Sequence, residues 1–203
     1  MVHIDTLPLG AYQTNCYLVC ADASTTCAVI DPGYYPEQIL DYLEKKALKP
    51  DAILLTHGHF DHVGGAEALV KATGCSLWMQ ERDNMQASLP SLGQLFPLTG
   101  RPCKVNFFEQ GQTVTAGGVT FTVLETPGHT HGSVCLATED VLFTGDTLFA
   151  GSVGRTDFPG SDTAAMLRSL AFLKALPRDY RIYPGHGSST TLEHEKRCNP
   201  YMR

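Results

Sequence analysis

Four times along this chain an apolar run ends in a tight glycine turn that carries a histidine or an aspartate. The densest case is Asp51–Thr56 followed by His57-Gly58-His59-Phe60-Asp61-His62. Asp51–Thr56 reads as a buried strand, and Gly64–Gly74 reads as a helix ended by Gly74. Four groups able to ligate a metal therefore share one strand-to-helix turn. His57 and His59 are two apart, so at an extended strand end they point the same way. Asp61 and His62 lie on the following turn and can face the same pocket. Imidazole with carboxylate suits zinc, iron or manganese, and the lack of thiolate argues against a closed four-cysteine zinc site. A histidine-rich surface loop is the plainer alternative. Three of the chain's eight histidines within six residues weigh against it.

The other three turns are Leu124–Thr130 with His129, Leu142–Thr147 with Asp146, and Ile182–Gly187 with His186. Each puts a ligand-type side chain at the carboxyl end of a strand, where sheet-based sites gather. Alone, a Pro-Gly-His sequence is a turn and nothing more. Together with the first cluster the chain offers seven such groups, enough for two metals that each keep a position open.

The remaining pattern is mixed α and β. Asn15–Cys20 and Cys27–Ile30 flank a turn at Asp22–Thr25 and predict a hairpin. The second of these strands ends in Asp31-Pro32-Gly33, where Asp31 is either a turn former or an acceptor for a ligating histidine. Glu37–Lys46 predicts a helix with Ile39, Leu40 and Leu43 inward and Pro36 at its start. Strand, helix, strand over 28–56 favours a parallel crossover. Ser76–Met79 is a short strand. Residues 80–104 are irregular, with Asn84–Leu92 partly helical; such a segment forms a wall of a site or a surface excursion. Residues 105–149 read as strands joined in antiparallel hairpins, including a turn at Gln110-Gly111. Ser161–Leu176 predicts a helix capped by Ser161, with Met166, Leu167, Leu170, Phe172 and Leu173 apolar. Arg181–Pro184 is a last strand and Thr191–Arg197 a terminal helix.

A net charge of −6 and no basic run longer than Lys45-Lys46 give little support for a nucleic-acid partner. No apolar run approaches a membrane span, and Met1–Asp5 lacks the marks of a signal peptide. The seven cysteines (16, 20, 27, 75, 103, 135 and 198) are scattered and odd in number, which fits a reduced cytoplasm and core packing.

The motif set His57-x-His59-x-Asp61-His62, His129, Asp146 and His186 resembles the metallo-β-lactamase superfamily over nearly the whole chain. Within it the chain is similar to the short bacterial forms of the glyoxalase II branch. Thr56–Gly65, Thr126–Thr130, Phe143–Phe149, Gly154–Phe158 and Pro184–Gly187 carry the likeness. The resemblance implies one αββα domain over residues 1–203, two mixed sheets face to face with helices outside. It implies that His57, His59 and His129 hold one divalent ion, Asp61, His62 and His186 a second, and that Asp146 bridges them. Zinc comes ahead of iron or manganese. It further implies hydrolysis of a small-molecule thioester by metal-bound hydroxide, with Asp61 as ligand and orienter of the nucleophile. Tyr12, Tyr17, Tyr34 and Tyr35 are candidate acids. Asp146 favours thioesters, esters or phosphodiesters over lactams. The helical region with which full-length glyoxalase II contacts glutathione has no counterpart after His186, so another thiol carrier is open. His131 departs from the branch and reads as a solvated loop residue ahead of a spare ligand. Arg155 either binds a substrate carboxylate or pairs with Asp157. Gly154–Phe158 also resembles the mononuclear-iron persulfide dioxygenases, whose second-metal residues fall away; the intact His186 favours hydrolysis.

Overall fold

A computed structural model describes residues 1–84 and 104–203. Its first sheet runs in the order β1 (Val2–Leu9), β2 (Thr14–Ala21), β3 (Thr26–Ile30), β4 (Lys49–Leu54), β5 (Ser76–Met79) and β6 (Val105–Phe107). The first three pair antiparallel and the last four parallel. The second sheet holds β7 (Thr113–Ala116), β8 (Val119–Glu125), β9 (Val134–Thr138) and β10 (Val141–Gly145) as a meander. A two-stranded hairpin follows, β11 (Leu148–Phe149) with β12 (Ser152–Val153). The second sheet is completed by β13 (Arg181–Pro184), parallel to β10, and β14 (Thr190–Thr191). The helices are α1 (Pro36–Lys46), α2 (Phe60–Val63), α3 (Ala66–Thr73), α4 (Glu81–Asn84), α5 (Thr163–Lys174) and α6 (Leu192–Cys198).

The layering follows from the two-residue period of strands buried on both faces. In β4, Ile53 packs outward with Ile39, Leu43, Ala66 and Leu69 beneath α1 and α3. Its neighbours Ala52 and Leu54 face the other way, into a core shared with Phe121, Val123, Leu136 and Phe143 of the second sheet. The second sheet repeats the pattern. Cys135 and Leu142 turn outward onto Met166, Leu170, Leu173 and Leu192 of α5 and α6. Helix, sheet, sheet, helix is the resulting order, the αββα sandwich of two mixed sheets expected from the resemblance. No helix of the described residues is long and apolar enough to cross a membrane.

The hairpin at 14–30 and the parallel crossover at 28–56 form as expected. Three expectations need correction. Val105–Phe107 does not form a hairpin with Thr113; it pairs parallel with β5 in the first sheet. The Gln110-Gly111 turn instead hands the chain from one sheet to the other. Phe108 anchors that crossing between the sheets, stacked on Trp78 with ring centroids 5.9 Å apart. Second, the cap of α5 is Asp162, whose Oδ1 accepts from the Ala165 amide at 3.0 Å. Ser161 is drawn away because its hydroxyl donates to the His129 carbonyl. Third, Leu167 and Phe172 are exposed; the buried stripe of α5 is Ala165, Met166, Ser169, Leu170 and Leu173. The partly helical stretch expected over Asn84–Leu92 lies outside the described residues, apart from Asn84, which ends α4.

Phe143 sits at the centre of the sandwich, fully buried, its ring 5.1 Å from Tyr17 and 5.5 Å from Tyr183. Phe143→Ala should lower unfolding stability by about 3–5 kcal/mol through the cavity it leaves. Leu167→Ala on the exposed side of α5 should stay within about 0.5 kcal/mol of the parent. Urea unfolding of both variants checks the contrast.

Candidate metal centre

Each of the four glycine turns leaves its strand at the same edge of the sandwich. β4 delivers His57 and His59, with Asp61 and His62 on the short helix α2. β8 delivers His129, β10 delivers Asp146 and β13 delivers His186. The edge is stitched across the sheets by Val134 N–H to Thr56 O (2.8 Å) and Asn15 N–H to Gly185 O (2.8 Å). Asn15 also donates its side-chain amide to Pro184 O and Gly187 O, which fixes the turn carrying His186.

All seven residues meet. His59 Nδ1 lies 3.1 Å from His57 Nε2 and 2.8 Å from His129 Nε2. His62 Nε2 and His186 Nε2 are 3.3 Å apart, and His186 Nε2 is 3.2 Å from Asp61 Oδ2. Asp146 stands between the two triads: Oδ2 is 3.4 Å from His129 Nε2 and 3.6 Å from His186 Nε2, and Oδ1 is 3.5 Å from His62 Nε2. Glycine makes this approach possible. A Cβ on Gly185 would collide with Asp146 Oδ1 and His62, and one on Gly145, at φ +48°, would collide with Thr56.

The outward nitrogens of His57, His62, His129 and His186 are held by acceptors. Asp31 Oδ2 takes His62 Nδ1 at 2.8 Å, the Arg155 carbonyl takes His129 Nδ1 at 2.8 Å, and the Tyr12 carbonyl takes His186 Nδ1 at 3.1 Å. His57 Nδ1 meets Thr56 Oγ1 at 3.1 Å, and that hydroxyl donates to Asp31 Oδ2 at 2.6 Å. Asp31 is thus an acceptor behind the rings as well as a turn residue, with φ +50°. These contacts aim the lone pairs of the inner nitrogens at one another. Such an arrangement is unfavourable unless a cation lies between them. Asp146 Oδ1 supports the same reading: it is buried and has no hydrogen-bond partner among the described residues. The donor set, five imidazoles and two carboxylates without thiolate, fits divalent zinc, iron or manganese.

Charge is unevenly distributed over the site. Burial, and then the imidazoles around it, keep His57 well below the usual histidine range; the same causes push His59 down to about 3. Burial also opposes charge on His62, but Asp31, Asp146 and Asp61 outweigh it and raise that ring to about 9. His186 is raised by its bond to Asp61 in spite of burial. Asp61 is lowered by His186 and His62 against the effect of burial.

Arg155 forms a two-pronged pair with Asp157 (2.9 and 2.8 Å) and lies 4.2 Å over the Phe158 ring. His131 is exposed and belongs to none of the candidate ligand groups. The hydroxyl of Tyr17 is buried and donates to Pro184 O, which removes it from the acids; Tyr12, Tyr34 and Tyr35 are exposed. A cavity of about 530 Å³ opens in front of the cluster, walled by Tyr12, Phe60, Phe149, Val153, Arg155 and Phe158.

Two supporting carboxylates escaped sequence reasoning. Asp83, fully buried, accepts from Gly58 N–H (2.8 Å), Thr130 Oγ1 (2.7 Å) and Gly132 N–H (2.6 Å). It ties the His57–His59 turn to the loop of His129. Glu195 on α6 accepts from Gly151 N–H, Thr190 Oγ1 and the Asn199 amide, and Asn199 also donates to Ser152 O. These two residues fasten the β11–β12 hairpin that carries Phe149 and Val153. No spacing or neighbouring motif marks either carboxylate.

A family model described as the metallo-beta-lactamase superfamily matches residues 9–186. The hydroxyacylglutathione hydrolase GloC of Haemophilus influenzae is 38% identical, over 99% of this chain and 98% of that one. Among solved structures, TTHA1623 in a di-iron-bound form is 38% identical with a TM-score of 0.83, covering 97% of this chain and 99% of that one. The B3 metallo-beta-lactamase BLEG-1 is 34% identical with a TM-score of 0.86, over 98% and 99%.

In protein stripped of metal by chelation, the histidine shifts set the pH dependence of folding. His62 and His186 bind protons more tightly when folded. Their contribution is full below about pH 6.5, the unfolded value, and for His62 it is lost as pH rises through about 9. His57 and His59 resist protonation when folded, so stability also falls as pH drops below about 6.5. The urea midpoint of stripped protein should therefore peak near pH 6.5 and decline on both sides. A midpoint rising steadily from pH 5 to 9 would contradict the assignment.

Proposed function

The chain belongs to the metallo-beta-lactamase superfamily, and on that premise we propose that it is a metal-dependent hydrolase of thioesters carrying two divalent ions. His57, His59 and His129 would hold one ion, Asp61, His62 and His186 the other, and Asp146 would serve both. The observation that carries this reading is Asp146, lodged between two triads with a buried oxygen that has no hydrogen-bond partner among the described residues. The full-length likeness to a hydroxyacylglutathione hydrolase supports thioester as the bond. The likeness to a di-iron form leaves iron open beside zinc and manganese.

Divalent ions bound there supply Lewis acidity toward a carbonyl oxygen and bring hydroxide within reach at neutral pH. The chain's own groups do the rest. Asp61 is kept ionised by His186 and His62, and its Oδ2 also accepts from Thr14 at 3.0 Å. A fixed, ionised carboxylate beside the reacting centre accepts a hydrogen bond from the attacking water or hydroxide and sets its direction. Asp31, Thr56 and the carbonyls of Tyr12 and Arg155 hold the rings in one tautomer, so the donor atoms need no rearrangement. A thiolate leaves readily and asks little of a general acid. That suits a site where Tyr17 is occupied and the remaining tyrosines stand at the rim.

The solved lactamase relative favours a second reading, hydrolysis of a lactam. Purified protein with its metal quantified, assayed for thiol release from S-D-lactoylglutathione and other thioesters and for opening of a chromogenic lactam, separates the two. We expect about two metal ions per chain and thioester turnover. Asp61→Ala should lower kcat by about a hundredfold or more. Asp31→Asn should weaken metal binding by about 10- to 100-fold, read by competition with a chelating dye. Undiminished turnover in Asp61→Ala, or one ion per chain with oxygen uptake on a persulfide, would overturn the proposal.

A further inference from the structure

We infer that the cavity before the cluster selects an uncharged thioester with an apolar acyl chain, in preference to the charged glutathione conjugate. This rests on the thioester reading above and adds the substrate class. Aromatic rings flank both triads. Phe158 lies 5.9 Å from His59 and 6.3 Å from His129, and Phe149 lies 6.2 Å from His186. Phe60 and Tyr12, 5.4 Å apart edge to face, and Val153 line the same cavity. A substrate carbonyl placed at the cluster therefore sits with an apolar surface on either hand.

Charge points the same way. Glutathione brings two carboxylates and an ammonium. Among the described residues Arg155 is the only arginine or lysine lining the cavity. Its Nε and Nη2 are closed on the two oxygens of Asp157, and its flat face covers Phe158. In that position the guanidinium widens the aromatic wall instead of offering a fork to a substrate carboxylate. The other ionisable groups facing the cavity, His59, His129, His186, Asp61 and Asp146, all belong to the metal cluster.

The test uses metal-loaded protein and thioesters of one uncharged thiol, N-acetylcysteamine, with acetyl, butanoyl, hexanoyl and 3-phenylpropanoyl groups, beside S-D-lactoylglutathione. Each buried methylene can contribute up to about fourfold. We expect kcat/KM to rise at least tenfold from acetyl to hexanoyl and to exceed that of lactoylglutathione. Phe158→Ala should shrink the hexanoyl-to-acetyl ratio. A flat acyl series, or lactoylglutathione preferred tenfold, would overturn the inference and leave the thioester reading standing. If no thioester is turned over, the thioester reading fails. The cavity is then judged by calorimetry with ketone analogues in which CH2 replaces sulfur. Tighter binding of the hexanoyl analogue than the acetyl one supports an apolar pocket, and equal binding refutes it.

Discussion

Five imidazole rings are packed so that their inner nitrogens face one another, and the surroundings of four of them are built to keep them so. Each outer nitrogen that is bound has an oxygen behind it: Asp31, Thr56, or a main-chain carbonyl of Tyr12 or Arg155. Left to themselves, like ring nitrogens crowded to 2.8–3.3 Å repel, whether both carry lone pairs or both carry protons, and a carboxylate oxygen with no donor costs free energy. The fold tolerates this because the two sheets are fully packed without it. Three separate apolar layers hold the strands, and the polar cluster occupies only the edge where the strands end. The site is thus a strained polar patch carried by a frame that does not depend on it for its core.

Much of this was legible in the sequence, for a physical reason. A strand buried on both faces is a continuous apolar run, and a turn that must bring a side chain close to others needs glycine. Both leave local marks, so His57, His59, Asp61, His62, His129, Asp146 and His186 could be picked out before their distances were known. The order of strands around Ala28–Leu54 was legible for the same reason, because a crossover helix is itself periodic. Asp83, Asn15 and Glu195 were not legible. Their partners are backbone groups 49, 169 and 44 residues away in the chain for Gly132, Pro184 and Gly151. A single polar residue satisfying distant backbone groups has no pattern to read.

The misread elements share a cause. Val105–Phe107 carries a strand signal followed by a turn signal, and local signals cannot say which sheet a strand joins. Phe108 and Trp78 decide it by stacking, a long-range contact. Ser161 and Asp162 are both good caps; the choice falls to Asp162 because the His129 carbonyl needs a donor and Ser161 is within reach. In each case tertiary context chooses between options that are locally close in energy.

The hairpin Leu148–Val153 and the stretch after it are fastened from behind, through Gly151 N–H, Ser152 O and Arg155 O. Every one of these anchor points belongs to the main chain. Two of the side chains that face the cavity, Phe149 and Phe158, are not among the fasteners. A protein assembled in this manner can trade one projecting group for another without loosening the segment that bears it. Diversification of what the cleft accepts is thereby uncoupled from preservation of the ion-holding apparatus next door.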